Sequence, residues 1–230
     1  MTLADAARIV GLPRATARRC LLTLEDLGYV ESDGRHFMLT PKVLTISQAY
    51  LSSNALPRIA QPFLDRTSTA AGNPCSLGVL QDDFVIHVAT SSTSPSLSNI
   101  QRGVGAHLPV YCTSIGRVIL SQATAAQIDA YFARADLVPI TPKTICAEAE
   151  LRSILSKVAE EGYCFASGET SLYVQTLAVP VFNSRGTIRG ALGMMNVKDG
   201  MEIIEGKEFI RTNLPLLRKA ADEISALLVD

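Results

Sequence analysis

The chain has 230 residues and is 47% hydrophobic, enough for one domain or two with a sizeable core. Its formal net charge of −1 excludes a global pull toward nucleic acid or membrane, so any DNA contact must be local. No apolar run approaches the ~20 residues of a membrane span. The N-terminus carries Asp5 and no apolar signal-peptide core, and five scattered cysteines without CxxC spacing read as reduced thiols of a cytoplasmic protein.

Thr2 caps a predicted first helix whose apolar face is Leu3, Ala6, Ala7 and Val10. Gly11 and Leu12 make a turn, and Pro13 suits the first position of the next helix, where its missing N–H would be unpaired anyway. Ala17, Cys20, Leu21, Leu24 and Leu27 follow at helical spacing as one apolar face. Ala15, Arg18, Arg19 and Leu22 project on the other side, Arg14 flanks the first turn, and Gly28 ends the helix. Tyr29–Glu31 and His36–Leu39 are strand-like runs around Ser32-Asp33-Gly34-Arg35, and Asp-Gly is a hairpin signal.

Helix, turn, helix, hairpin is a winged helix-turn-helix, expected over residues 1–41 and docking its second helix in the DNA major groove. Arg14, Arg18 and Arg19 are the expected base readers, because guanidinium pairs with guanine O6 and N7, and Ala15 lies beside them. Thr16 and Thr23 are placed for phosphate oxygens, and Arg35 and His36 at the hairpin tip for phosphate or a minor groove. Five arginines over residues 1–40 are balanced by five acids, so one copy should bind weakly. Two copies about one DNA turn or its multiple apart would give useful affinity. An ordinary amphipathic helix with a solvated basic face, and a solvated loop tip, show the same pattern.

Pro41 to Asn54 reads as a connecting helix, within a linker expected over 42–56, and the next helix begins at Pro57 and ends before Gly72. Cys75–Leu80 and Phe84–Thr90 are strands joined by Gln81-Asp82-Asp83. A polar loop, Ser91 to Asn99, precedes a short strand at 100–104. Leu108–Tyr111 leads into Cys112-Thr113-Ser114 and a helix to about Gln122; Thr124 caps another helix. Glu150–Glu161 is amphipathic and stops at Gly162. Strands follow at Tyr163–Ser167, Thr176–Phe182 and Thr187–Val197, the last two joined by an Asn183–Gly186 turn. A helix over about Glu205–Leu228 contains Pro215. Hairpins flanked by helices indicate an antiparallel sheet in an α+β domain over 57–230.

The chemistry of that domain points to Cys112-Thr113-Ser114. Unpaired N–H groups at a helix start attract anions, and hydroxyls add donors, so a carboxylate would fit there. A plain Ser or Thr helix cap looks the same. Arg117, one turn on, is a charge partner or a surface residue. Cys112 with His107 or His87 offers the parts of a thiol–imidazole pair, although nothing places a third orienting group. A zinc site from the cysteines with His36, His87 and His107 lacks ligand spacing, and no cofactor or metal is expected.

Three blocks, MTLADAARIVGLPRATARRCLLTLEDLGYVESDGRHFMLTPKVL, LPVYCTSIGRVIL and AVPVFNSRGTIRGAL, resemble the IclR family of bacterial transcription regulators in the family's order. RATARRCLLTL with LPVYCTSIGRV looks most like the branch controlling aromatic-acid breakdown through the β-ketoadipate pathway, responsive to protocatechuate, 4-hydroxybenzoate or related acids. The resemblance implies a GAF-like effector domain, a palindromic operator, and a homodimer or tetramer. It also implies a further helix packed on the second helix; without it Leu3, Leu21 and Leu24 should be exposed. It carries part of an effector pocket onto YCFASGETSLYVQTLAVPV. Many relatives have aspartate at Ser167, glycine at Tyr173 and arginine at Gln175, and Glu169 alone keeps its type. Thr176, Met194 and Asn196 are expected lining residues, Met194 also fitting plain core packing. The resulting expectation is a ligand-responsive DNA-binding regulator. A sensor or dimerisation module that no longer binds DNA, and a cysteine-dependent enzyme, are the alternatives.

Overall fold

The computed structural model describes residues 1–91, 103–197 and 205–229. Its backbone separates into two units, Met1–Asn54 and Ala55–Asp230. In the first, Thr2 caps α1 (Leu3–Ile9) reciprocally: its hydroxyl accepts from the Asp5 amide, and the Asp5 carboxylate accepts from the Thr2 amide. Gly11 makes the turn at φ +64°, a conformation an L side chain resists. In α2 (Arg14–Asp26), Pro13 sits at the cap position, one residue earlier than expected. β1 (Val30–Ser32) and β2 (Phe37–Leu39) form the wing. The chain start joins it, Met1 and Phe37 each donating to the other's carbonyl. α3 (Val43–Ser53) follows with none of its residues buried.

The core of this unit is small: Ala6, Ala7, Ala17 and Val30. On α2 only Ala17 is buried. Cys20, Leu24 and Leu27 face solvent, and Leu3 and Leu21 are half-buried, so the expected apolar face is mostly open. Lys42 reaches back to the Leu27 carbonyl at 2.8 Å, a cation at the negative end of the α2 dipole.

The second unit is an antiparallel sheet of β3 (Cys75–Gln81), β4 (Phe84–Thr90), β5 (His107–Pro109), β6 (Cys164–Ser167), β7 (Val174–Phe182) and β8 (Ile188–Val197), in the order β5-β4-β3-β8-β7-β6. One face packs Leu77, Leu177, Val179, Leu192 and Met194 against α4 (Ala55–Ala71) and α8 (Gly206–Leu227). The other packs Val85, Ala178 and Ala191 against α5 (Ser114–Ser121), α6 (Ala125–Phe132) and α7 (Glu148–Glu161). The α+β expectation matches this unit.

Element ends shift by one or two residues: α4 starts at Ala55, α7 at Glu148 and β7 at Val174. Helix α8 runs through Pro215. The expected polar loop beyond Ser91 and the strand at 100–104 fall outside the described residues up to 102, and Gly103-Val104 is not strand.

Helix α5 lies close on the sheet. A Cβ at Gly78 or at Gly193 would each come within 2.7 Å of Ile115 side-chain atoms. Two glycines therefore admit Ile115 to the sheet surface, which brings the start of α5 against β3 and β8.

Candidate functional site

Side chains one turn apart share a helix face, so α2 presents Arg14 with Arg18 and Ala15 with Arg19 as one stripe. All four are exposed. None of the three arginines has an ion-pair partner among the described residues. Thr16 is half-buried beside them. Thr23 departs from expectation: its hydroxyl donates to the Arg19 carbonyl at 3.0 Å, so its proton is committed to the helix and is not available to a phosphate.

At the wing, Arg35 is exposed. The Asp33 carboxylate accepts from the amides of His36 (2.7 Å) and Arg35 (2.8 Å), which hold its pKa down to about 2. The wing turn is thus fastened by a group that stays ionised, and Arg35 meets any phosphate with that negative charge beside it.

In the second unit Thr113 caps α5. Its hydroxyl accepts from the Gly116 amide at 3.2 Å and lies 3.0 Å from the Pro109 carbonyl, to which it donates. Ser114 opens the helix at 2% exposure, and its hydroxyl has no partner among the described residues. The amides of Ser114 and Ile115 likewise lack an acceptor there. Two open N–H groups and a hydroxyl at the positive end of a helix can receive an anion.

The facing wall follows from register. Gly193 sits under Ile115, and Met195 shares its face; Met195 pairs with Thr176, and Thr176 with Ala166. Ser76 pairs with Gly193 on the same face. Ser76 and Thr176 are half-buried hydroxyls without a hydrogen-bond partner among the described residues. Ser76, Ala166, Thr176 and Met195 therefore form the wall toward α5.

Several expected lining residues lie elsewhere. Ser167 and Asn196 are one residue out of phase and share the opposite face with Gln175 and Met194; Asn196 donates to Gln175 at 3.2 Å. Tyr173 is 65% exposed on the β6–β7 connection. Arg117 and Glu169 bind each other: Nη1 and Nη2 donate to Oε1 and Oε2, both at 2.6 Å, with the two side chains buried. Burial works against the Arg117 charge, but its hydrogen bonds and charge attraction to Glu169, together with the neighbouring Cys164 and Cys112, raise its pKa overall. Neither residue is free to hold an effector carboxylate. Sequence reasoning misses Ser76, Ala166 and Met195, which the strand register brings to the face toward α5.

Cys112 is packed in the α5–α7 core with its thiol 3.8 Å from the Pro109 carbonyl, and burial pushes its pKa up to about 12. His107 stacks on Phe84, ring centroids 3.9 Å apart. Burial likewise raises Cys75 to about 12 and Cys164 to about 11. A thiol reagent at pH 8 should therefore label exposed Cys20 promptly and the three buried thiols only on unfolding. Unfolded cysteine ionises near 9.0, below these folded values, so folded-state stability should fall as pH rises from 9 toward 12. Denaturation midpoints against pH check the sign, and a flat profile across that window would contradict it. Among the described residues no group of three metal-ligating side chains converges.

An exposed arginine stripe on a winged helix-turn-helix, and an α+β unit with an open helix start, define a DNA-binding regulator with its own sensing unit. Residues 1–34 match the IclR helix-turn-helix domain, and residues 48–226 match the family described as bacterial transcriptional regulator IclR C-terminal. The chain belongs to the IclR family of bacterial transcriptional regulators. It is 35% identical to the Pca regulon regulatory protein of Pseudomonas putida over 224 residues, covering 97% of this chain and 76% of that protein. Identity to the p-hydroxybenzoate hydroxylase transcriptional activator of Acinetobacter baylyi is 33% over 233 residues, 99% of this chain and 84% of the relative. The second unit resembles the crystal structure of a double mutant of the PobR inducer-binding domain from Acinetobacter, in complex with 3-hydroxybenzoic acid. The TM-score is 0.67 at 31% identity, covering 75% of this chain and 99% of that one.

Proposed function

We propose that the chain senses a small aromatic acid and changes its hold on a palindromic operator in response. Residues 1–41 dock on duplex DNA, with Arg14, Ala15, Arg18 and Arg19 toward base edges and Thr16 and Arg35 toward the backbone. Residues 42–56 link this part to the effector domain, 57–230. The carboxylate sits on the Ser114 and Ile115 amides and the Ser114 hydroxyl, and its ring lies against Ser76, Ala166, Thr176 and Met195. The chain works as a homodimer or a pair of dimers in the cytoplasm, as a regulator rather than an enzyme; burial that keeps Cys75, Cys112 and Cys164 protonated at neutral pH speaks against a cysteine-dependent one.

One observation supports the reading: donors without a partner among the described residues open α5, the helix packed on the sheet face that carries Ser76, Ala166, Thr176 and Met195. One relative is named as the transcriptional activator of p-hydroxybenzoate hydroxylase, and the similar inducer-binding domain holds 3-hydroxybenzoic acid; together they supply the ligand class. Ala166 puts no charge opposite the carboxylate, which favours an anion. Fluorescence anisotropy on promoter DNA should show an affinity change of about 5–150-fold on adding 4-hydroxybenzoate or protocatechuate, the usual range of coupling between sites. DNA binding that ignores every aromatic acid tried would remove the sensing half of the reading. No DNA binding at low salt would remove the other half.

A further inference from the structure

The Arg117–Glu169 pair joins four pieces of backbone. Arg117 Nε donates to the Tyr111 carbonyl at 2.7 Å, immediately before the Cys112-Thr113-Ser114 entry to α5. Its two terminal nitrogens hold Glu169, on the connection between β6 and β7. Glu169 Oε2 in turn accepts from the Ile145 amide at 3.1 Å. That amide belongs to the irregular segment 138–146, which Thr144 fastens to the Glu169 carbonyl (2.7 Å) and Thr141 to the Gly168 carbonyl (2.6 Å). Tyr111 completes the circuit, its hydroxyl donating to the Val138 carbonyl.

A buried ion pair contributes little net stability over well-packed apolar groups of the same volume. A planar fork meeting a carboxylate contributes direction instead, because both bonds hold only at one relative placement of the two chains. We propose that Arg117 and Glu169 are positioning residues: together they pin segment 138–146 and the β6–β7 connection to the chain entering α5. Tyr111 leads directly into the Ser114 donors, and Glu169 lies between Ala166 on β6 and Thr176 on β7. The pin therefore sets the separation of the two walls, a consequence that rests on the effector reading above; the pin itself does not.

The test is the double variant R117M/E169L in the full-length chain, with amide hydrogen exchange measured without ligand. The apolar pair should restore the melting midpoint relative to either single substitution. Yet exchange at Ile145 and across 138–146 should quicken by at least about tenfold, the loss expected for hydrogen bonds to charged groups. The Gly116 amide should follow, while Leu177 and Leu192 in the central strands keep wild-type protection. Faster exchange everywhere, in proportion to lost global stability, would mean a merely structural pair, and wild-type exchange throughout the segment would equally overturn the proposal. If the double variant does not fold, E169Q decides on the same ratio of segment to central-strand exchange, measured well below its own midpoint. A second arm titrates 4-hydroxybenzoate. Affinity should fall at least about tenfold in the double variant, again on the scale of one charged hydrogen bond. A wild-type chain that binds no aromatic acid would sink the effector reading and leave the exchange data to decide the pin.

Discussion

Replacing Arg117 alone by methionine should destabilise the effector unit by about 3–5 kcal/mol, the cost of stranding one partner of a buried ion pair. Methionine fills much of the volume, but it leaves the Glu169 carboxylate at 5% exposure with the Ile145 amide as its remaining donor among the described residues. The Tyr111 carbonyl also loses its 2.7 Å donor. In a domain of this size that loss lowers the melting midpoint by roughly 6–20 °C. Lysine at 117 keeps the charge but cannot fork, and should fall between methionine and wild type. The exposed Lys157–Glu161 pair gives the contrast: Lys157→Ala should leave the midpoint unmoved, because solvent screens such pairs. Circular dichroism melts of the three variants check the order. An R117M midpoint within about 2 °C of wild type would show that water reaches the pair and that its burial counts for little.

Local chemistry makes the first unit legible. Thr2 reads as a helix cap and forms one, with Asp5 closing it into a capping box, and Asp33-Gly34 marks a hairpin and lies at the wing tip. Gly162 reads as a helix stop and ends α7 in the left-handed conformation. The sheet face toward α5 is harder because β7 and β8 are buried on both faces. Their sequences, VQTLAVPVF and IRGALGMMNV, lack the polar alternation that assigns side chains to faces. Without it the expected residues fall on the opposite face: Ser167 and Asn196 are one residue out of phase with Ala166 and Met195, which face α5, and a one-residue slip exchanges the faces completely. The Arg117–Glu169 pair spans 52 residues, so no periodic pattern links its halves. One trace is present: Arg117 interrupts an otherwise apolar run, Ile115 to Leu120, in a helix that proves buried at every position. A charge in such a place needs a partner.

Removing Arg14, Arg18 and Arg19 together should abolish operator recognition while leaving the fold intact. All three are exposed, and none is tied to an acid among the described residues, so truncation to alanine takes away no packing or ion pair. Alanine also favours the helix it would occupy. Each bidentate pairing with guanine contributes about 1–3 kcal/mol, and a dimer on a palindrome makes every such pairing twice. Loss of even one per subunit therefore weakens binding by roughly 30-fold or more. Single substitutions separate the roles. An arginine on a base edge, once removed, relaxes preference at one operator position. An arginine on phosphate weakens all sequences alike and flattens the dependence of log K on log salt by about 0.9 for each phosphate no longer neutralised. Arg35→Ala belongs to the second kind, with a smaller effect, because the ionised Asp33 beside it already offsets its charge. Anisotropy titrations over a range of salt concentrations read both quantities. If the triple variant binds operator with wild-type affinity and slope, α2 is not the element in the groove.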